Sequence, residues 1–246
     1  MKYLLTFLLL ASPLAHAGDA SEYHPLGFSA DGRYYAFAQS GSYDGSGAAY
    51  AEVSVVNVAK NDLVASKKVH LDDAESDNPS TPEMALAQAV KAVRLARFGI
   101  KEGSNLGKDL LVRLPTDHSA YSSNTFSVDY WAEGGASATI PRYDVKVSGT
   151  PGRSDNADGE HCVELGFSPE LLTVAVEGTA GTGTEGFRAL LQKDSKLPKS
   201  RGCASNYAVQ RVTLLGDKLV VALRYSLPGF EGPDVRSMIV TGQVKF

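Results

Sequence analysis

The amino-acid sequence predicts a mainly β fold of antiparallel meanders, arranged like propeller blades or like a sandwich, with one helix near residues 82–98. Two observations indicate the strands. Runs of alternating or β-branched residues recur along the chain, and turn dipeptides such as Asp31-Gly32 and Gly216-Asp217 separate them. Many short strands with turns between them are typical of an all-β core. The predicted strands cover residues 34–39, 52–58, 110–114, 125–131, 143–148, 171–177, 207–215, 218–225 and 238–246.

The predicted helix has both a start signal and a stop signal. Thr81 is a good N-cap, and Pro82 suits the first helical position. The segment that follows is rich in Ala and contains no Gly or Pro until Gly99, which can adopt the left-handed conformation that ends a helix. A second, shorter helix or turn is predicted over residues 187–193.

The composition excludes two classes of protein. The chain has 246 residues, of which 24 are Lys or Arg and 28 are Asp or Glu, so its formal net charge is −4. Hydrophobic residues make up 43% of the chain, which is too many for a disordered protein. Because the chain lacks a basic excess, we expect no binding to nucleic acid.

The N-terminus predicts a secretory signal peptide over residues 1–17. Lys2 supplies the positive charge, an apolar run follows, and Ala15 and Ala17 are the small residues that precede a cleavage site. The alternative is a membrane anchor, but the apolar run is much shorter than the roughly 20 residues that span a bilayer. We therefore expect a periplasmic or secreted protein that is not inserted in the membrane after cleavage.

Cys162 and Cys203 are the two cysteines of the chain. Two cysteines in a secreted protein most often form one disulfide, and such a crosslink would stabilise the fold by roughly 4 kcal/mol. The alternative is a reactive or metal-binding pair of thiols, although the spacing does not match a CxxC motif. The sequence therefore predicts a structural disulfide between them.

A short motif occurs twice and indicates an internal repeat. Residues 26–30 read Leu-Gly-Phe-Ser-Ala, and residues 165–169 read Leu-Gly-Phe-Ser-Pro. The first copy, with its Asp31-Gly32 turn, resembles the start of a blade in propeller repeats, but two copies are too few for a full propeller. We therefore expect residues 18–246 to form a single mainly β domain with two blade-like halves.

Most of the common catalytic and cofactor motifs are missing from the sequence. The chain contains no GxSxG, HExxH or P-loop motif and no cysteine cluster for a metal. Residues 181–186 match GxGxxG, but no acidic residue follows in region 200–210, where a dinucleotide-binding protein needs one. We interpret this stretch as a flexible loop and expect no cofactor.

One acidic loop has the composition of a calcium site. Asp155, Asp158 and Glu160 crowd a single turn, although their spacing is not that of an EF-hand. The alternative is a solvated turn. These three residues are the predicted metal ligands if the loop binds a cation.

Three segments resemble a family of predicted secreted bacterial proteins, the domain of unknown function twenty-two fifty-nine. They cover residues 26–37, 200–203 and 228–236, and the last of them is the most distinctive. The resemblance implies secretion and one shared architecture. It implies no activity.

The loop over residues 228–236 is also the predicted binding surface. Its glycines and proline predict a rigid turn, and Glu231, Asp234 and Arg236 are available for polar contacts together with Arg201. The alternative is a structural corner braced by an Arg–carboxylate pair. A rigid polar loop without a catalytic constellation favours a non-catalytic binding or interaction module, whose partner is an envelope protein or a small ligand. The second hypothesis is a periplasmic hydrolase that uses carboxylates or a metal site assembled by the fold.

Overall fold

The computed structural model describes residues 18–72, 79–114, 125–129, 142–152, 162, 164, 166–179, 186–229 and 232–244. Within these residues the chain forms twelve strands and one α-helix, α1 (Pro82–Val93), with short 3₁₀ helices at Leu95–Phe98 and Lys199–Arg201. The strands are β1 (Glu22–Phe28), β2 (Tyr34–Ser42), β3 (Ala49–Asn57), β4 (Asp62–Leu71), β5 (Lys108–Val112), β6 (Thr125–Asp129), β7 (Arg142–Pro151), β8 (Glu170–Thr179), β9 (Gly186–Lys193), β10 (Ser205–Leu215), β11 (Lys218–Leu227) and β12 (Asp234–Gln243).

The described strands form three antiparallel sheets of four strands each. Sheet I has the order β1-β2-β3-β4, sheet II the order β12-β11-β10-β5, and sheet III the order β6-β7-β8-β9. Sheets I and III are simple meanders, whereas β5 joins sheet II by pairing with β10. The prediction of a mainly β fold with antiparallel meanders and a helix is therefore confirmed. No helix among the described residues is long and apolar enough to cross a membrane.

The sheets and the helix stack in layers in the order α1, sheet I, sheet II and sheet III. Sheet I packs against α1 with one face and against sheet II with the other. Successive side chains of its strands point to opposite faces, so each strand contributes to both cores. On β2, Ala36 and Ala38 belong to the core that includes α1, whereas Tyr35 and Phe37 pack with Val220, Ala222 and Ile239 of sheet II. The other face of sheet II packs on sheet III; Val221 and Leu223 share that core with Val174 and Val176.

The helix begins at the predicted residue and ends in two steps. The Thr81 hydroxyl accepts a hydrogen bond from the Met84 N–H at 3.3 Å, which caps the first turn. The buried face of α1 consists of Ala85, Ala89 and Val93, which pack on sheet I. Arg94 adopts a left-handed conformation, so the predicted segment 82–98 divides into α1 and the 3₁₀ helix that follows.

The prediction of a second helix at residues 187–193 is wrong, because this segment is strand β9. Its side chains alternate between exposed and partly buried positions, and it pairs with β8 over most of its length. Helix propensity is a weak preference of the chain, and pairing with an existing strand overrides it. Two strands, β1 and β4, lie outside the predicted runs. β1 contains Pro25 and a bulge next to Gly27, and β4 is a mostly exposed outer strand rich in polar residues.

A side-chain amide links all three sheets. Asn61, in the turn between β3 and β4, accepts a hydrogen bond from the Thr241 N–H of β12 at 2.8 Å. The same side chain donates to the Gln192 amide oxygen of β9 at 2.7 Å. This one residue therefore fixes the ends of sheets I, II and III relative to one another.

The predicted disulfide between Cys162 and Cys203 is confirmed. Their Cα atoms lie 5.5 Å apart, and both residues are buried. The crosslink holds the segment before β8 against the start of β10.

Candidate functional site

Arg236 of the predicted binding loop lies in a buried cluster of charges. Its guanidinium binds both carboxylate oxygens of Asp19 and also Asp234, whose oxygen is 2.9 Å away. The Tyr50 hydroxyl donates to Asp19 at 3.1 Å, and the Tyr50 ring lies under the guanidinium. The Asp19 side chain is only 5% exposed.

This cluster ties the start of the described chain to β12. The Ser21 N–H donates to the Val235 carbonyl, and the Val235 N–H donates to the Asp19 carbonyl. Burial acts to lower the pKa of Arg236, but its hydrogen bond to Asp19 and the surrounding negative charges outweigh that effect and raise it. Burial raises the pKa of Asp234, against the opposing effect of Arg236.

Arg201 belongs to a second buried cluster with partners of its own. Its guanidinium donates to Asp194 at 2.5 Å and to the Tyr207 hydroxyl at 3.0 Å. The Asp194 side chain is 2% exposed and also accepts the Leu172 N–H. The structure therefore brings Asp234 and Arg236 together but gives Arg201 a different carboxylate. Glu231 and the predicted metal ligands Asp155, Asp158 and Glu160 lie outside the described residues, as do the leader at 1–17 and most of the GxGxxG stretch.

A different set of arginines lines an open groove between sheets I and II, with a volume of about 340 Å³. One wall is the chain from Ala20 to Tyr23, where β1 begins. The other wall runs from Val112 to Leu114, where β5 ends. Side chains of β10 and β11 form the remainder of the lining. The polar and charged lining residues are Ser21, Glu22, Arg113, Gln210, Arg211 and Arg224. We call this feature the arginine groove.

Arg211 is held in place by an acidic partner. Its Nε lies 2.8 Å from one oxygen of Asp109, and a terminal nitrogen binds the other oxygen. Thr213 donates to the same carboxylate at 2.8 Å. The hydrogen bond to Asp109 raises the pKa of Arg211. This bidentate pair fixes the orientation of a guanidinium at the groove.

Tyr23 is the aromatic member of the lining. Its hydroxyl lies 3.2 Å from that of Tyr35, and burial raises the pKa of Tyr23 well above its usual value. Both hydroxyls therefore remain protonated at neutral pH. The lining therefore combines an aromatic ring with arginine side chains.

Arg113 and Arg224 bring the positive charge of the groove from two further strands. Both are partly exposed, unlike Arg201. The Arg113 N–H donates to the Gln210 carbonyl at 2.9 Å, which extends the pairing of β5 with β10 to the groove wall. The Arg113 guanidinium also lies 5.4 Å from the centre of the Phe126 ring. Three arginines and one glutamate therefore line the groove, and Asp109 pairs with one of the arginines, Arg211.

The two histidines of the described chain have separate surroundings. His24 Nε2 lies 2.8 Å from the Ser40 hydroxyl, but Ser40 is only 4% exposed, and neither residue is part of the arginine groove. His70 stacks on the Tyr43 ring. The described residues contain no group of three or more His, Cys, Asp or Glu side chains that could hold a metal. His118 and His161 lie outside the described residues.

The fold and the groove together define a class: a layered, mainly β protein with a disulfide and an arginine-lined groove between two sheets. A family model described as "Predicted secreted protein (DUF2259)" matches residues 36–243. The chain belongs to this family, as the three segments of its sequence predict. No curated protein and no solved structure matches the chain significantly.

Proposed function

We propose that this secreted protein acts in the periplasm as a non-catalytic binding module that takes an anionic ligand in the arginine groove. The observation that carries the proposal is the presence of Arg113, Arg211 and Arg224 around one groove. Guanidinium groups bind carboxylates and phosphates with bidentate geometry.

The surroundings of the groove support binding rather than catalysis. Asp109 is committed to Arg211 and Thr213, and it is not among the groove-lining residues. Tyr23, with its raised pKa, is a poor base at neutral pH. A hydrolase would need an activated nucleophile beside the ligand, and the Ser40 hydroxyl, which contacts His24, is buried and lies outside the groove lining.

Calorimetric titration with citrate and with inorganic pyrophosphate tests the proposal. We expect both probes to bind the unmodified protein at low ionic strength and to bind more weakly as salt is added. In the variant Arg113→Gln/Arg224→Gln, binding should weaken about tenfold or more, since a hydrogen bond to a charged group contributes about 1.5–3 kcal/mol.

Arg188→Gln is the matched control. It also removes a guanidinium, but Arg188 is 78% exposed on sheet III, beside Glu177. The control should bind the probes as the unmodified protein does. Equal binding by the groove variant and the control would contradict the proposal, and so would the absence of heat with both probes.

A further inference from the structure

Gly18 is packed on the backbone that leads into β12. A side chain at this position would bring its Cβ to 2.2 Å from the Pro233 carbonyl oxygen, so no side chain fits there. The Asp19 N–H donates to an oxygen of Asp234 at 3.2 Å, and a parallel bridge pairs Ala20 with Val235. These contacts fix residue 18 next to the buried cluster of Arg236.

The carboxylates of this cluster outnumber its guanidinium. Asp19 and Asp234 share Arg236, whose side chain is 11% exposed. Burial raises the pKa of Asp234, and the negative charges of Asp19 and Asp44 add to that effect. One oxygen of Asp44, in the turn between β2 and β3, is buried and has no hydrogen-bond partner. Three carboxylates and one guanidinium therefore share this region, and such an excess of desolvated negative charge favours a further cation.

We propose that cleavage of the predicted signal peptide after Ala17 completes this cluster, because it creates an α-ammonium group on Gly18 that pairs with the Asp234 carboxylate. Hydrolysis of the peptide bond by a signal peptidase consumes one water, and it leaves a carboxylate on Ala17 and an ammonium group on Gly18. In the uncleaved chain the same nitrogen is a neutral amide. The processed chain therefore has a stabilising ion pair that the precursor lacks.

Covalent geometry places the new charge close to its partner. Consecutive backbone nitrogens are at most about 4 Å apart, and the Asp19 nitrogen lies 3.2 Å from an oxygen of Asp234. The Gly18 nitrogen is therefore within about 7 Å of that oxygen. Because Gly18 is only partly exposed, water and salt screen this attraction incompletely.

The other titratable groups of the cluster keep their charge state where an amine titrates. Tyr50 of β3 donates to Asp19, and burial raises the pKa of Tyr50 well above its ordinary value. The pKa of Arg236 is raised as well, through its hydrogen bond to Asp19. Lys68 of β4 lies 5.9 Å from the centre of the Tyr50 ring, and a lysine titrates near 10.4. An α-amino group ordinarily titrates at about 7.7–8.0, so its charge changes first as the pH rises.

An NMR titration of the mature chain, which starts at Gly18, measures the pKa of the new amino group. The protein is labelled with ¹³C-glycine, and the Gly18 Cα resonance is followed with pH. We expect a pKa at least about one unit above the ordinary 7.7–8.0. Asp234→Asn should return it at least half of the way. Asp62→Asn is the matched control, because it removes an exposed carboxylate at the start of β4, and it should leave the pKa as in the unmodified chain.

Stability against pH gives a second readout that needs no substitution in the cluster. The comparison chain carries Ala-Ala before Gly18, which moves the charge two residues away and leaves a neutral amide, as in the precursor. A pKa raised by one unit makes the unfolding equilibrium constant of the mature chain about tenfold smaller at pH 7. The folded state holds the proton more tightly, so this stabilisation is complete below about pH 7.5 and is lost as the pH rises through the folded pKa.

Urea denaturation of both chains at several pH values measures this difference. We expect about tenfold at pH 7 and convergence of the two chains above about pH 10. An ordinary amine pKa in the mature chain would overturn the proposal. Equal unfolding constants at pH 7 would overturn it too, and a difference that persists unchanged to pH 10 would assign the effect to packing rather than charge. Neither measurement involves the arginine groove, so the outcome leaves the proposed function as it stands.

Discussion

Arginine has two different roles in two regions of this molecule. Arg201 is buried, the Arg236 side chain is 11% exposed, and each of them binds a carboxylate that is itself almost completely buried. Arg113 and Arg224 are partly exposed and line an open groove between two sheets. The same side chain therefore holds the fold together in one region and provides a positively charged surface in the other.

The comparison shows that the surroundings of each arginine decide whether it stabilises the fold or lines the groove. Asp19 and Asp194 lose their hydration in the fold, so each needs a cation to compensate for its buried charge. Arg113 and Arg224 are partly exposed, so their charge can act on a ligand that enters the groove. The predicted binding residues Arg201 and Arg236 accordingly lie in well-packed clusters, whereas the groove was not among the predicted surfaces. A role for the 228–236 loop in binding remains a prediction.

The largest expected effect comes from breaking a buried cluster. Arg236→Met leaves the charge of Asp19 buried without its cation, so we expect a loss of about 3–5 kcal/mol in the free energy of unfolding. Urea denaturation followed by circular dichroism measures this loss. Because the uncompensated charge causes most of the cost, Arg236→Met/Asp19→Asn should recover part of the stability. A change below about 1 kcal/mol in Arg236→Met would show that the cluster is not structural.

An intermediate effect is expected at alkaline pH, from a buried tyrosine in each region. Burial raises the pKa of Tyr35, near Arg211 of the groove, to about 12, and it raises the pKa of Tyr225, near Arg236, to about 12 as well. An unfolded tyrosine titrates near 10, so between pH 10 and 12 the unfolded chain releases protons that the folded chain keeps. The free energy of unfolding therefore keeps its full value below pH 10 and falls as the pH rises towards 12.

Each of these tyrosines should lower the free energy of unfolding by up to about 1.4 kcal/mol per pH unit in that window. Urea midpoints at several alkaline pH values measure the slope. Tyr35→Phe should show a shallower slope than the unmodified protein. Identical slopes would mean that Tyr35 titrates equally in the folded and unfolded states.

The smallest effect on stability is expected in the groove. Arg113→Gln/Arg224→Gln should change the free energy of unfolding by no more than about 1 kcal/mol, because partly exposed charges contribute little to folding. The same urea experiment as for Arg236 gives the comparison directly. A loss as large as that of Arg236→Met would place these arginines among the structural ones.

Much of the fold could be predicted from the sequence because its signals are local. The cap at Thr81 and the glycine at 99 define the helical segment, and alternation defines most strands of sheets II and III. The sequence predicts a helix over β9 because its residues are acceptable in helices, and only pairing with β8 makes it a strand. The sequence does not predict β1, because Pro25 and a bulge disturb its pattern.

The groove could not be predicted because no local pattern brings its residues together. Arg211 and Arg224 lie on adjacent strands of a predictable hairpin, so their proximity could have been anticipated. Arg113 joins them only because β5 pairs with β10, a contact between distant parts of the chain. The wall from Ala20 to Tyr23 depends in turn on how sheet I packs on sheet II.

The most direct test of the contrast between the two regions is an NMR titration of the arginine side chains. The protein is labelled with ¹⁵N-arginine, its Nε–H resonances are assigned by single Arg→Lys variants, and citrate is added stepwise. The account predicts that the resonances of Arg113 and Arg224 shift in a saturable way while those of Arg201 and Arg236 stay in place. Shifts confined to Arg201 and Arg236, or none at any arginine, would contradict it.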